Sequence, residues 1–114
     1  MNEEIKAAWV SALRSGEYEQ GAGQLRGSDD KFCCLGVLCD LAEKAGIVQA
    51  RPFDNCWDYG GATGYTPAVV KDWAGLPGDG DGDGILEIER TLAEMNDSGN
   101  DGFAAIADRI EAEL

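Results

Sequence analysis

Glycine limits this chain to short helices, because a glycine closes each of the first three apolar runs. Apolar residues recur at helical spacing over residues 3–15 and 33–45, and a third run, with Val69, Val70 and Trp73 on its apolar side, follows Thr66 and Pro67. Asn2 is placed to cap the first helix, and the Thr66 hydroxyl to cap the third, with Pro67 at its first helical position. A glycine in the left-handed conformation is a common helix end. The glycines that close the three runs are Gly16, Gly46 and Gly75.

The remaining segments predict a helix-rich α+β fold. Residues 86–95 and 103–113 carry two more helical patterns, which makes about five short helices. Residues 17–30 are too rich in glycine for a helix and predict a short hairpin or an ordered loop, whereas residues 47–65 predict irregular structure or short strands. A chain of 114 residues buries roughly 65% of its extended surface, enough for one core. We therefore expect a single compact domain over residues 1–114.

The chain contains no histidine, which removes Ser-His-Asp and Cys-His nucleophile systems and every metal site that needs imidazole. Asp40 and Asp108 are carboxylates that a catalytic pair would need, but nothing in the sequence places them together, and capping or surface roles are favoured. No motif of a nucleotide-hydrolysing or acyl-transfer enzyme is present. The sequence therefore predicts a protein without enzymatic activity.

The net charge of −13 is concentrated in the second half, where residues 51–114 carry 14 acids and 4 bases. A field of this sign repels phosphate backbones, so we expect no direct binding of nucleic acid. It suits a basic partner, a cation, or mimicry of nucleic acid toward a basic host protein, and it is also typical of a solvated acidic surface. The polar first residues and the lack of an 18-residue apolar run predict neither a secretion signal nor a membrane span.

The cysteines are predicted to be buried, reduced thiols. Their spacing lacks the paired C-x-x-C knuckles of a structural zinc site. Most of them fall in the apolar run that begins at Phe32, where a free cysteine behaves as a small hydrophobe. Gly36 inside this helix predicts a close approach by another element. The four cysteines are Cys33, Cys34, Cys39 and Cys56.

The acidic Gly/Asp loop at 77–84 partly matches a calcium-binding loop. Asp79, Asp81 and Asp83 occupy the first, third and fifth positions. The twelfth position, which should hold a bidentate glutamate, is Arg90. The sequence therefore favours an acidic loop here and predicts no cofactor, with a weak calcium site as the alternative.

The glycine-rich segment QGAGQLR, which begins at Gln20, is the candidate binding segment. The backbone N–H groups around Gly21 and Gly23 can face an anion. The cations that would accompany them are Arg14, Arg26 and Lys31, and the rings that would stack on a base are Tyr18, Trp9 and Trp57. A turn that merely contains glycine is the alternative interpretation.

A second group of aromatic residues lies among glycines further along the chain. Trp57, Tyr59 and Tyr65 lie in one stretch with Gly60, Gly61 and Gly64. Rings in such a setting line pockets and interfaces, because they provide contact area at low entropic cost. They serve equally well as core residues that cover helix ends.

Several motifs resemble a family of small proteins encoded by tailed phages and prophages. The most specific is FCCLGVLCDLA, which begins at Phe32. WVSALRSGEY precedes it, and GYTPAVVKDWAGL, LAEMNDSG and FAAIADRI follow it. The resemblance covers most of the chain and implies the cytoplasm of an infected bacterium, the host cytoplasm, where thiols stay reduced.

The resemblance implies an accessory protein that counters host defence. Some such proteins are sponges, homo-oligomers that bind a nucleotide-derived immune signal, of the ADP-ribose or cyclic nucleotide type, and withhold it. We expect this function, with a small nucleotide-derived ligand as the partner. The predicted ligand-binding residues are Arg14, Tyr18, Gln20, Gly21, Gly23, Arg26, Lys31, Trp57 and Tyr65.

Two alternatives to the sponge stay open. One is an acidic nucleic-acid mimic, or a direct protein inhibitor of a basic host defence enzyme. The other is a structural or interaction module that carries the variant cation-binding loop.

Overall fold

Five helices and four short strands form the part of the chain that the computed structural model describes, which is residues 1–76, 87–99 and 101–114. The predicted helix-rich α+β fold is confirmed. In chain order the elements are α1 (Glu3–Arg14), β1 (Glu19–Gln20), β2 (Lys31–Phe32), α2 (Cys34–Lys44), β3 (Ala50–Phe53), β4 (Cys56–Tyr59), α3 (Ala68–Ala74), α4 (Glu87–Asp97) and α5 (Phe103–Glu113).

Helix α2 is the centre of the fold, and α1, α3 and α4 all pack against it. The residues from Cys34 to Asp40 are buried on every side of the helix, not on one face alone. Gly36 makes this possible, since a Cβ at Gly36 would lie 1.7 Å from the carbonyl oxygen of Leu25. The predicted close approach at Gly36 is therefore confirmed.

Helix α1 begins as predicted, with the Asn2 side chain accepting a hydrogen bond from the N–H of Ile5 at 3.0 Å. Its buried residues include Trp9 and Leu13. The indole N–H of Trp9 donates to the carbonyl oxygen of Cys34 at 2.9 Å, which ties α1 to α2. On its other side α1 packs along α5.

The residues between α1 and α2 form an ordered loop, one of the two predicted alternatives. Its short strands β1 and β2 pair in parallel, with Gln20 opposite Phe32. The hairpin lies later in the chain, where β3 and β4 pair antiparallel with Phe53 opposite Cys56. The Trp57 N–H donates to the Arg26 carbonyl oxygen at 2.9 Å and joins the two β units.

The start of α3 corrects the predicted cap. Pro67, with ψ 156, occupies the N-cap position, and the helix begins at Ala68. The Thr66 hydroxyl is buried and has no hydrogen-bond partner among the described residues. Val69, predicted on the apolar side, is 45% exposed, whereas Val70 is fully buried. Gly75 ends α3 at φ 71, as predicted.

The four cysteines are buried, as predicted, and none of them is paired in a disulfide. Cys33 caps α2, and its Sγ accepts a hydrogen bond from the N–H of Gly36 at 3.3 Å. Burial raises the pKa of Cys33 from the ordinary value of 9.0 to about 11. Among the described residues, no helix combines the length and apolar character that a membrane crossing requires.

Candidate functional site

A polar cleft of about 570 Å³ lies between the glycine-rich loop and the segment that joins α4 to α5. Gln20 and Gly21 form one wall, and Lys31 lines the cleft as well. The loop can follow this path because Gly21 has no side chain: a Cβ there would lie 2.8 Å from Cβ of Lys31. The other lining residues are Ala22, Gln24, Gly27, Ser28, Asp29, Asn55, Asn96, Asp97, Gly99, Asp101 and Gly102.

Asn96, at the end of α4, holds the cleft together. Its side-chain oxygen accepts from the amide of Gln20 at 3.0 Å and from the N–H of Cys34 at 3.2 Å. Its side-chain amide donates to the carbonyl oxygen of Gly21 at 2.7 Å. Asn96 is only 3% exposed, so these bonds form in a region largely shielded from water, where each is difficult to replace. One side chain thus joins the glycine-rich loop, α2 and α4.

Two further hydrogen bonds fix the glycine-rich loop against the far wall. The side-chain amide of Gln20 also donates to the carbonyl oxygen of Asp101 at 2.9 Å. The N–H of Gly23 donates to Oδ1 of Asp97 at 3.0 Å. Gly23 has φ 82, a left-handed conformation that favours glycine. Both N–H groups that the sequence predicts to face an anionic ligand are already bonded within the protein: that of Gly23 to the Asp97 carboxylate, and that of Gly21 to the carbonyl oxygen of Phe32 at 2.7 Å.

The charged residues that line the cleft are mostly acidic. Lys31 is the one cation among the described lining residues, against Asp29, Asp97 and Asp101. Oδ1 of Asp29 accepts from the backbone N–H of Lys31 at 3.2 Å. The cleft therefore offers amide groups and carboxylates in greater number than cations, which suits hydroxyl and amino groups better than phosphates.

Arg26 and Trp57 come together as predicted, although neither lines the cleft. The guanidinium carbon of Arg26 lies 4.3 Å from the centre of the Trp57 ring and 5.2 Å from that of Phe32. Asp30 pairs with the same guanidinium at 2.7 Å. Tyr59, which interacts with Arg26, is fully buried, and burial raises the pKa of its hydroxyl.

Tyr18 lies in a separate polar cluster with Asp40 and Lys44. Its hydroxyl donates to Oδ2 of Asp40 and accepts from Nζ of Lys44 at 3.1 Å. Burial, together with the hydrogen bond to Asp40, raises the pKa of Tyr18. The Tyr18 ring meets Phe32 edge to face, with centres 5.0 Å apart. Phe32 therefore connects this cluster to Arg26.

The last two predicted binding residues lie elsewhere. Arg14 forms ion pairs with Asp108 and Glu111, which join α1 to α5. Tyr65 is partly buried and packs against the core. Asp40 and Asp108 belong to these different clusters, so the structure does not bring the two carboxylates together.

The structure thus divides the predicted ligand-binding set into five places. Gln20, Gly21 and Lys31 line the cleft, and Gly23 is bonded to its wall. The sequence did not identify Asn96, the residue that holds the cleft together. An asparagine near a helix end ordinarily indicates only a helix terminus. What identifies Asn96 is the burial of its side chain, which depends on the tertiary structure.

The predicted calcium ligands Asp79, Asp81 and Asp83 lie outside the described residues. Within the described part of the chain, no group of three or more Cys, Asp or Glu side chains is arranged to hold a metal ion.

Comparison with known proteins identifies the family of the chain. No curated protein and no solved structure matches it. The model of one family, described as a domain of unknown function (DUF8296), matches residues 1–114. The match spans the same residues that form the core, the glycine-rich loop and the cleft. The chain therefore belongs to the DUF8296 family.

Proposed function

We propose that this chain is a non-enzymatic phage accessory protein, a homo-oligomer of the host cytoplasm that binds and withholds a small nucleotide-derived signal. The cleft beside Gln20 is the observation that carries the proposal. Its volume of about 570 Å³ falls within the range of pockets that hold small molecules. Its walls are fixed by the hydrogen bonds of Asn96, so little conformational freedom is lost when a ligand enters.

The side chains of the chain favour binding over catalysis. The sequence has no histidine to transfer protons near neutral pH. The four thiols are buried, and burial raises the pKa of Cys33, Cys34 and Cys39, which keeps them protonated and weakly nucleophilic.

The composition of the cleft favours the nucleoside part of such a ligand over its phosphates. Asn and Gln side chains offer both donors and acceptors to the edge of a base. A carboxylate such as that of Asp101 or Asp29 is suited to accept from ribose hydroxyls. Lys31 is the lining residue that would attract a phosphate at the edge of the cleft.

Filling the cleft tests the proposal. Ser28 is exposed and lines the cleft, so Ser28→Trp should block the cleft without disturbing the core. Val69→Trp introduces the same side chain at an exposed position of α3 outside the cleft. Native mass spectrometry would compare both variants with the wild type after incubation with ADP-ribose, cyclic nucleotides and extract of bacteria whose nucleotide-signalling defence has been triggered.

We expect a homo-oligomer that gains several hundred daltons per site in the wild type and in Val69→Trp, and no gain in Ser28→Trp. Equal retention by both variants would contradict the cleft as the binding site. A bound host polypeptide in place of a small molecule would overturn sequestration and favour inhibition through the acidic surface.

A further inference from the structure

Arg26 is held in one orientation before any ligand arrives. Its guanidinium lies against Trp57 at 4.3 Å and against Phe32 at 5.2 Å, measured to the ring centres. Its carbonyl oxygen accepts from the N–H of Trp57, which fixes the backbone. The Arg26 side chain is 19% exposed. The rings and the backbone therefore limit the rotamers of Arg26, while part of its side chain stays accessible to solvent.

Asp30 supplies the anion that this guanidinium faces. One carboxylate oxygen, Oδ1, accepts from both Nε at 3.0 Å and Nη2 at 2.7 Å. An anion with two suitably spaced oxygens engages the same donors through two parallel hydrogen bonds. The Asp30 side chain is 63% exposed, so water competes for its carboxylate and the pair is weaker than one in which both partners are buried. The Arg26–Asp30 contact is therefore weak enough to exchange for a better anion.

A tight turn presents Asp30 to Arg26. Asp30 has φ 62, a left-handed conformation that few residues other than glycine adopt. Its N–H donates to the carbonyl oxygen of Gly27 at 3.0 Å, and the N–H of Gly27 donates to the carbonyl oxygen of Lys31 at 2.9 Å. Uncommon backbone conformations of this kind are concentrated at functional positions.

We propose that Arg26 binds a phosphate group and that Asp30 is an internal competitor, which the phosphate displaces. The planar guanidinium matches phosphate oxygens in pairs, which a lysine ammonium does not. Trp57 and Phe32 keep the guanidinium in place when Asp30 leaves. Arg26 and Asp30 do not line the cleft, so this site stands apart from the proposed function and is tested with inorganic phosphate alone.

Removal of the competitor provides the test. Sodium phosphate would be titrated at constant ionic strength and about pH 7, and the Arg26 Nε–H resonance followed by NMR. Asp30→Asn removes the charge and keeps the left-handed conformation, which asparagine tolerates. We expect the affinity for phosphate to rise about fivefold in Asp30→Asn. In Arg26→Gln, which has no guanidinium Nε–H to follow, phosphate should leave the indole N–H resonance of the neighbouring Trp57 unshifted.

Asp54 provides a matched control, because it is also exposed and left-handed, with φ 50. Asp54→Asn removes the same charge, and its affinity should change less than about twofold. If Asp30→Asn and Asp54→Asn changed the affinity for phosphate equally, the effect would come from net charge alone, and the proposal would be overturned. A lack of any phosphate response in Asp30→Asn, or a stronger response to acetate than to phosphate, would overturn it as well.

Discussion

The hydrogen atom on Cα of Gly36 sets the distance between α2 and the glycine-rich loop. The carbonyl oxygen of Leu25 occupies the space that a side chain would need. The same carbonyl accepts a hydrogen bond from the N–H of Cys33 at 3.2 Å, so it is not free to move away. At this position the chemistry of one residue determines whether two elements can pack.

Gly36→Ala is therefore expected to destabilise the protein by about 3 kcal/mol or more, because a methyl group must displace backbone and not a flexible side chain. Gly64→Ala is the matched control, since the space around Gly64 is open and its φ is not positive. Thermal unfolding of the two variants provides the measurement. A Gly36→Ala protein as stable as Gly64→Ala would contradict the packing of α2 on this loop.

Among the elements, α2, α4 and the glycine-rich loop depend on one another through Asn96. The residues that it joins, Gly21 and Cys34, lie 75 and 62 positions away in the chain. Its amide also donates to Oδ1 of Asp97 at 3.1 Å. A change at Asn96 should therefore affect all three elements at once.

Asn96→Asp preserves the shape of the side chain and replaces its donor with an oxygen. This oxygen would face the Gly21 carbonyl and the Asp97 carboxylate, both of which repel it. We expect a loss of about 2–4 kcal/mol in the free energy of unfolding, measured with urea, and faster amide exchange at Gly21 and Gly23. Asn55→Asp, an exposed change in the same cleft, should cost less than about 0.5 kcal/mol. Equal losses would show that Asn96 does not hold the cleft.

For the whole molecule, the buried thiols predict a loss of stability in alkali. The pKa of Cys33 rises from 9.0 to about 11 on folding. Above pH 9 the unfolded chain releases this proton and the folded chain keeps it, so the free energy of unfolding falls as the pH rises. The loss approaches about 3 kcal/mol for Cys33 alone once the pH passes 11. Cys34 and Cys39 act in the same direction.

Urea unfolding between about pH 7 and pH 10.5 measures this effect. Cys33→Ser is the control, because a serine hydroxyl caps the helix in the same way and does not titrate. Its stability should fall less steeply than that of the wild type above pH 9. Parallel curves for the two proteins would contradict the burial of the Cys33 thiol.

The sequence by itself determined the helices and most of the positions at which they end. Apolar spacing and end residues such as Asn2, Gly46 and Gly75 act within about one helical turn, so they can be recognised without the fold. The same local rules placed the start of α3 one residue early, because Pro67 adopts an extended ψ and serves as the N-cap itself. They also placed Val69 inside, although the neighbours of α3 leave it exposed.

Only the tertiary structure decided which predicted binding residues meet. Arg14 and Gln20 lie close in the chain, yet one joins α1 to α5 and the other lines the cleft. Arg26 and Lys31 separate in the same way, because Arg26 lies among aromatic rings and Lys31 lines the cleft. The cleft depends on contacts between distant residues, such as Gln20 and Asp101, which lie 81 positions apart in the chain. Packing of the helices brings such residues together, and no local pattern of the chain encodes that distance.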